Sequence, residues 1–189
     1  GEIDVGYMIG PFDHSDFATR LVKSEPLYAV MPHNHPLSRK FEITPDDVCR
    51  HDLVLGDLSE WEFYRWRLTE LFNARGLQFR IKQEASNTLA LSGLVAAGLG
   101  ITVCPESLAE TLAGPVTISK IAHEDFKVET VLVWSRLNRS RVLSEFVGAA
   151  ETSPSSPDGW RNSSTVTLDG GAHPLAARLR TTAAPAGGR

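Results

Sequence analysis

The chain has 189 residues, 42% of them hydrophobic, enough for one medium domain or a two-lobed unit with a real core. Its formal charge is -4, and Lys and Arg are spread along it rather than gathered into a stripe, so it lacks the electrostatic footprint of a nucleic-acid binder. The two cysteines, Cys49 and Cys104, suit free thiols in a reducing compartment, with the cytoplasm as default, and no apolar run approaches the roughly 20 residues that span a bilayer.

Ile3 to Met8 is a short apolar run with the pattern of a buried strand. No signal peptide precedes it, and Gly1-Glu2-Ile3-Asp4-Val5-Gly6 reads as a strand entered from upstream, so a truncated start is expected. A loop rich in Gly, Pro, His and Asp follows. Leu21 to Met31 gives a longer strand that stops at Pro32, and His33-Asn34-His35-Pro36 makes a loop. Thr44-Pro45-Asp46-Asp47 predicts an N-cap, a proline at the first helical position and acids in the first turn, hence a short helix to about Arg50. His51 to Asp57 is the next strand. Ser59 and Glu62 have the spacing of a capping box, and Tyr64, Leu68, Leu71 and Phe72 repeat on one helical face that Gly76 should close.

Leu77 to Ile81 alternates as a strand, and Ser86 or Asn87 caps a helix whose Leu91, Leu94, Val95 and Gly98 share a face. Gly98 should supply a left-handed C-cap, and Gly100 should let the backbone enter the strand Ile101–Val103 in close contact with its neighbours. Val116 to Ile121 and Val128 to Trp134 are further apolar stretches, followed by a helix from Ser140 to Ala150. This alternation argues for an α/β fold with a largely parallel sheet. From Thr152 to Arg189 Ser, Thr, Pro, Gly, Ala and Arg dominate without a periodic apolar face, so that tail is expected to be disordered.

Two stretches resemble the effector-binding domains of LysR-type transcription regulators. Leu27 to Leu37 (LYAVMPHNHPL) looks like that family's strand and "HPL" loop, and Leu94 to Pro105 (LVAAGLGITVCP) looks like its helix-turn-strand. The opening residues and Val131 to Arg136 fall in the family's order, and the match covers residues 1 to about 150. The resemblance implies a two-lobed, periplasmic-binding-protein-like α/β fold of type 2, with an effector cleft between the lobes. On that pattern residues 1–21 are a partial first lobe and 22–136 a complete second lobe including the crossover strands. Residues 137–151 are a closing helix and 152–189 the tail. It also implies homodimers or homotetramers, and DNA contact only through a winged helix-turn-helix that would lie upstream.

Strand carboxyl ends and helix N-termini favour an anion in such receptors. The candidate ligand-binding residues are therefore Ser86, Asn87 and Thr88. The resemblance implies that Leu55 and Gly56, in the segment from Leu53 to Asp57, form another wall and that Ile9, with Gly10, faces it across the cleft; Lys23, positioned by Glu25, could offer a charge to a carboxylate. Ser86 reads equally as an ordinary N-cap, and Lys23 as a solvated surface charge. His33 and His35 lack a third metal ligand, Cys49 and His51 lack an orienting acid, and no phosphate-cradling loop is present, so neither enzyme activity nor a cofactor is expected. The leading function is effector sensing by a DNA-binding transcription regulator with a small, anionic effector. The alternative is a solute-binding protein of a transport system with the same two-lobed fold. The aromatic surface of Trp61, Phe63, Trp66 and Phe72 reads equally as a dimer interface on the helix over 62–75 and as a bulky core of this lobe.

Overall fold

The computed structural model describes residues 4–112, 114–152, 167–169 and 178–180. The disordered-tail expectation falls largely outside them; of that stretch, Thr167–Asp169 and Arg178–Arg180 are described as two short antiparallel strands. The chain divides into two compact units, Gly1–Val22 with Val131–Arg189, and Lys23–Thr130.

In the first unit, strand β1 (Val5–Gly10) neighbours β7 (Lys127–Ser135), and β7 neighbours β2 (Phe17–Pro32) in one sheet. The strand expected from Leu21 begins at Phe17, because a tight turn in which the Phe17 amide donates to His14 O (3.1 Å) feeds it directly, and the Arg136 amide reaches Asp16 O (2.9 Å). Helix α5 (Arg141–Thr152) buries Leu143 and Val147, and Arg20 donates to Val147 O at 2.8 Å.

The second unit is organised by the apolar half of β2, where Leu27, Ala29, Val30 and Met31 are fully buried. After β2 come a 3-10 turn (Pro36–Arg39), α1 (Pro45–Cys49), β3 (Asp52–Gly56), α2 (Leu58–Asn73) and β4 (Arg80–Ala85). The unit continues through α3 (Thr88–Ala96), β5 (Thr102–Pro105), α4 (Glu106–Ala109) and β6 (Val116–Lys120). Both β5 and β6 pair antiparallel with β2, whereas β3 and β4 pair in parallel. The fold is therefore not built on one largely parallel sheet: the five-stranded sheet holds the antiparallel pairs of β2 with β5 and β6, and the parallel pair β3–β4 forms a separate two-stranded sheet. Residues Leu53, Val54 and Leu55 of β3 are buried on both faces, as a strand between ladders must be. The β3 ladder continues on its other side through Val54 N–H to Ile101 O (2.8 Å) and Ile101 N–H to Asp52 O (3.0 Å).

Local signals explain most helix ends. The Thr44 hydroxyl accepts from Asp47 N–H (3.2 Å), while the Asp47 carboxylate takes Thr44 N–H (3.0 Å), the reciprocal pair that starts α1. Gly76 (φ +68) and Gly98 (φ +79) adopt the left-handed conformation that ends α2 and α3. At Gly98 the turn closes with Gly98 N–H to Val95 O (2.9 Å) and Leu99 N–H to Leu94 O (3.1 Å). Gly98 therefore lies past the helix and is exposed, rather than sharing its buried face. A Cβ on Gly100 would meet Asp52 O at 2.6 Å, which accounts for the second glycine.

Two expectations are corrected. The cap of α2 is Asp57, whose carboxylate accepts from the amides of Ser59 (3.1 Å) and Glu60 (3.3 Å); Ser59 is instead a donor to that carboxylate. Asp57 comes first in the chain and, being charged, is the stronger acceptor. The alternating strand at Leu77 begins only at Arg80, where β3 offers its first partner, Asp52. Its outer face is exposed Arg80, Lys82, Gln83 and Glu84, so β4 carries little apolar signal of its own.

Candidate functional site

The carboxyl ends of β3 and β4 lie side by side. Gly56 pairs with Ala85, and the Asp57 amide donates to Ala85 O at 3.0 Å. From this shared edge α2 and α3 both depart, so two helix N-termini open at one place in the second unit. The strand–helix order dictates it: each parallel strand delivers the chain to its own helix start. Leu55 is buried beneath this edge. Gly56 carries the indole of Trp61, which lies 2.2 Å from where a Cβ would sit, and Trp61 itself leaves helical geometry (φ -120, ψ 16) to reach that position.

The structure thus brings together Leu55, Gly56, Ser86, Asn87 and Thr88. The cap of α3 is Asn87, whose side-chain oxygen accepts from Ala90 N–H at 2.9 Å. Ser86 is exposed, and its hydroxyl accepts a long 3.4 Å bond from the side-chain NH2 of Asn87. Of the two caps that the sequence allowed, Asn87 fills the role, and the Ser86 hydroxyl remains available. Leu89, in the first turn of α3, is 82% exposed beside these polar groups.

Lys23 lies on β2 rather than on the elements of this edge. Ile9 lies on β1 in the other unit. The Lys23 ammonium pairs with Glu25 at 2.9 Å, and Glu25, nearly buried, also accepts from Ser107 N–H at 3.1 Å. Burial pushes the Glu25 carboxyl up, but the bonds from Lys23 and Ser107 outweigh it and hold its pKa below the ordinary value.

One residue of the site escaped the sequence reading. Arg65 on α2 pairs with Glu84 of β4 and reaches Gly56 O at 3.4 Å, holding a cation under the shared edge. Its two-turn separation from Asp57 along α2 was the available signal. Asp57 is kept ionised below the usual carboxylate range by Ser59, the amides of Glu60 and Ser59, and the charge of Arg65.

Elsewhere, the groups weighed for other chemistry are engaged. His33 Nδ1 meets the Thr117 hydroxyl at 2.9 Å, and His35 Nδ1 accepts from Leu37 N–H at 3.3 Å. Burial, with Asp46 nearby, pushes the Cys49 thiol up to about 11, and burial pushes Cys104 up to about 12. Such thiols are protonated at neutral pH and poor nucleophiles. Among the described residues no group of three or more His, Cys, Asp or Glu is placed to hold a metal ion, and no helix is long and apolar enough to cross a membrane.

The sequence matches the LysR substrate binding domain over residues 1–153. The chain belongs to this family. It is 26% identical over 147 residues to the HTH-type transcriptional regulator AlsR of Bacillus subtilis, covering 78% of this chain and 49% of that protein. The Escherichia coli Hca operon transcriptional activator HcaR is 28% identical over 155 residues, 80% of this chain and 51% of the relative. The LysR-family chain thus spans about half the length of these curated relatives. Its fold is that of two-lobed LysR effector-binding domains: the BenM effector binding domain with its effector benzoate superposes with a TM-score of 0.65 at 20% identity, over 85% of this chain and 76% of that one. These are matches to a family of transcription regulators, which sets aside the transport solute-binding reading.

Proposed function

We propose that this LysR-family domain senses a small organic anion at the start of α3, on behalf of a longer cytoplasmic regulator that binds DNA through an upstream segment and assembles as a homodimer or homotetramer. The observation that carries it is the family match over residues 1–153. The shared edge adds the chemistry. Helix N-termini present unpaired N–H groups and about half a positive charge, and here Ser86 adds a hydroxyl, Arg65 a nearby cation and Leu89 with Trp61 an apolar border. A carboxylate on an apolar body fits that combination, and BenM, with benzoate, is a related protein of that preference. Ile9 and Lys23 enter this reading through the family resemblance. On the same reading Lys23–Thr130 is the second lobe. That the regulator is not an enzyme belongs to the same reading and is supported by the match to a family of transcription regulators.

The test is calorimetry of the 189-residue chain against a panel of small carboxylates, benzoate included, each paired with its neutral amide. At least one acid should bind saturably and its amide far more weakly, with amide-resonance shifts at 86–89. A panel in which acids and amides bind alike, or in which the shifts avoid this segment, overturns the reading.

A further inference from the structure

Among the described residues, His14, His35 and His123 make the same local bond and differ in what stands beside them. The Nδ1 of each accepts from the backbone N–H two residues on, at Asp16 (3.2 Å), Leu37 (3.3 Å) and Asp125 (3.2 Å). A backbone amide can only donate, so the His35 Nδ1 carries a lone pair and the ring is neutral, with its proton on Nε2. Protonation turns Nδ1 into a donor and breaks such a bond. At His14 and His123 the carboxylates of Asp16 (3.9 Å) and Asp125 (3.7 Å) stand close enough to pair with the charged ring. At His35 the neighbour is a second imidazole: the ring of His51 meets it edge-on with centroids 4.5 Å apart.

The pair ties together two separate segments. His35 is the N-cap of the 3-10 turn Pro36–Arg39, whose Leu37 is buried, and His51 stands at the junction of α1 and β3. Both rings are half-buried. The acids on the adjoining elements are committed elsewhere: Asp47 of α1 pairs with Lys40, and Asp52 of β3 with Arg80 and Lys82, while Asp46 bears on the protonated Cys49 thiol. Arg50 and Arg80 line the hollow that His51 shares with Cys49, Gln78 and Phe79. On the turn itself stand Arg39 and, before it, His33, whose Nδ1 meets the Thr117 hydroxyl of β6 at 2.9 Å. A hydroxyl donates or accepts by rotating, so that link tolerates a proton where the Leu37 amide does not. Burial, and then the charge of His51, hold His35 below the ordinary histidine range.

We propose that His35 and His51 form an acid-sensitive latch: the neutral rings pack together and cap the turn, and the proton that reaches His35 on acidification removes the Leu37 bond, sets like charges face to face and releases Pro36–Arg39 from the α1–β3 junction. Because His35 in the folded chain is depressed below its ordinary value of 6.5, the stability that the latch contributes is complete above 6.5 and is lost as pH falls through the folded-state value.

The experiment is an NMR titration of the 189-residue chain between about pH 8 and about pH 5, following the His33, His35 and His51 ring resonances and the exchange protection of the Leu37 amide. His35 should titrate with a midpoint below 6.5. Leu37 protection should fall with it, about tenfold for each pH unit below the midpoint. His51→Phe keeps an edge-on ring and removes its charge, so both midpoints should move up together. His35→Asn keeps a side-chain acceptor that cannot be protonated, as Asn87 does for α3, and Leu37 protection should become flat across the range. His33→Gln should leave the Leu37 transition where it is. If His35→Asn fails to fold by its melting curve, the parent's titration and His51→Phe decide. A His35 midpoint at or above 6.5, Leu37 protection that does not follow it, midpoints unmoved in a folded His51→Phe, or a transition that persists in His35→Asn overturns the proposal.

Discussion

The two helices that start at the shared edge of β3 and β4 differ in one chemical detail that sets their roles apart. Helix α2 is capped by a carboxylate, Asp57, which engages the amides of Ser59 and Glu60 and is held ionised. Helix α3 is capped by a neutral amide, Asn87, with the exposed Ser86 hydroxyl beside it. A carboxylate cap satisfies the helix end internally and offsets its positive pole, whereas an amide cap satisfies one N–H and leaves the pole for something else. On the proposed reading the α3 end is the one that attracts an anion, and the cap residue, more than the fold, separates the two helix starts.

The sharpest way to break this contrast is to make α3 resemble α2. Asn87→Asp keeps a good cap, so stability should hold or rise slightly, but it sets a like charge against the ligand. With a charge pair at about 4 Å costing between about 1 and 4 kcal/mol across the range from water to a protein surface, affinity for the best carboxylate should fall about a hundredfold. Calorimetry beside a denaturant melt checks both halves; unchanged affinity would place the anion elsewhere.

Next in size is Ser86→Ala. Since Asn87 supplies the cap, removing the Ser86 hydroxyl should leave the melting temperature where it was, while a lost hydrogen bond to a charged ligand costs about 1.5 kcal/mol, roughly tenfold in affinity. Asn87→Ala should show the opposite emphasis on stability, losing about 1 kcal/mol of it through the cap. A melting temperature lowered in Ser86→Ala and untouched in Asn87→Ala would reverse the cap assignment.

The same contrast shows what a sequence discloses. Signals that are complete within a few residues were legible: the reciprocal Thr44–Asp47 pair, the left-handed glycines at Gly76 and Gly98, and the Gly100 position pressed against Asp52 O. Where two residues compete for one role, the chain alone did not choose, as between Ser86 and Asn87, or chose wrongly, as with Ser59 over Asp57. The start of β4 at Arg80 was illegible because its register is imposed by β3, on a strand whose own face is polar. On the aromatic helix face, Phe72 packs between Phe79 and Phe126 and Trp61 lies on Gly56, while Trp66 is 58% exposed.

The smallest effect should come from the reverse exchange, making α2 resemble α3. Asp57→Asn removes a negative charge at the shared edge while keeping a side-chain oxygen that can accept from the Ser59 and Glu60 amides, so the anion should bind about two- to fivefold more tightly, the scale of a solvent-screened repulsion. The pH dependence identifies the cause. Because the Asp57 carboxyl is depressed below its ordinary value of 3.8, its charge is present throughout the neutral and mildly acidic range. The gain in Asp57→Asn should therefore be constant there and should shrink only as pH falls through the depressed folded-state value, where the parent loses the same charge by protonation. The stability that the ionised cap contributes follows the same window, being present above 3.8 and lost as pH falls through the folded value, so the parent's margin over Asp57→Asn should close on acidification. Salt should erase most of the affinity gain, since the edge is open to solvent; a gain that survived high salt, or that grew on acidification, would mean Asp57 acts on the site by holding the start of α2 in place rather than by its charge.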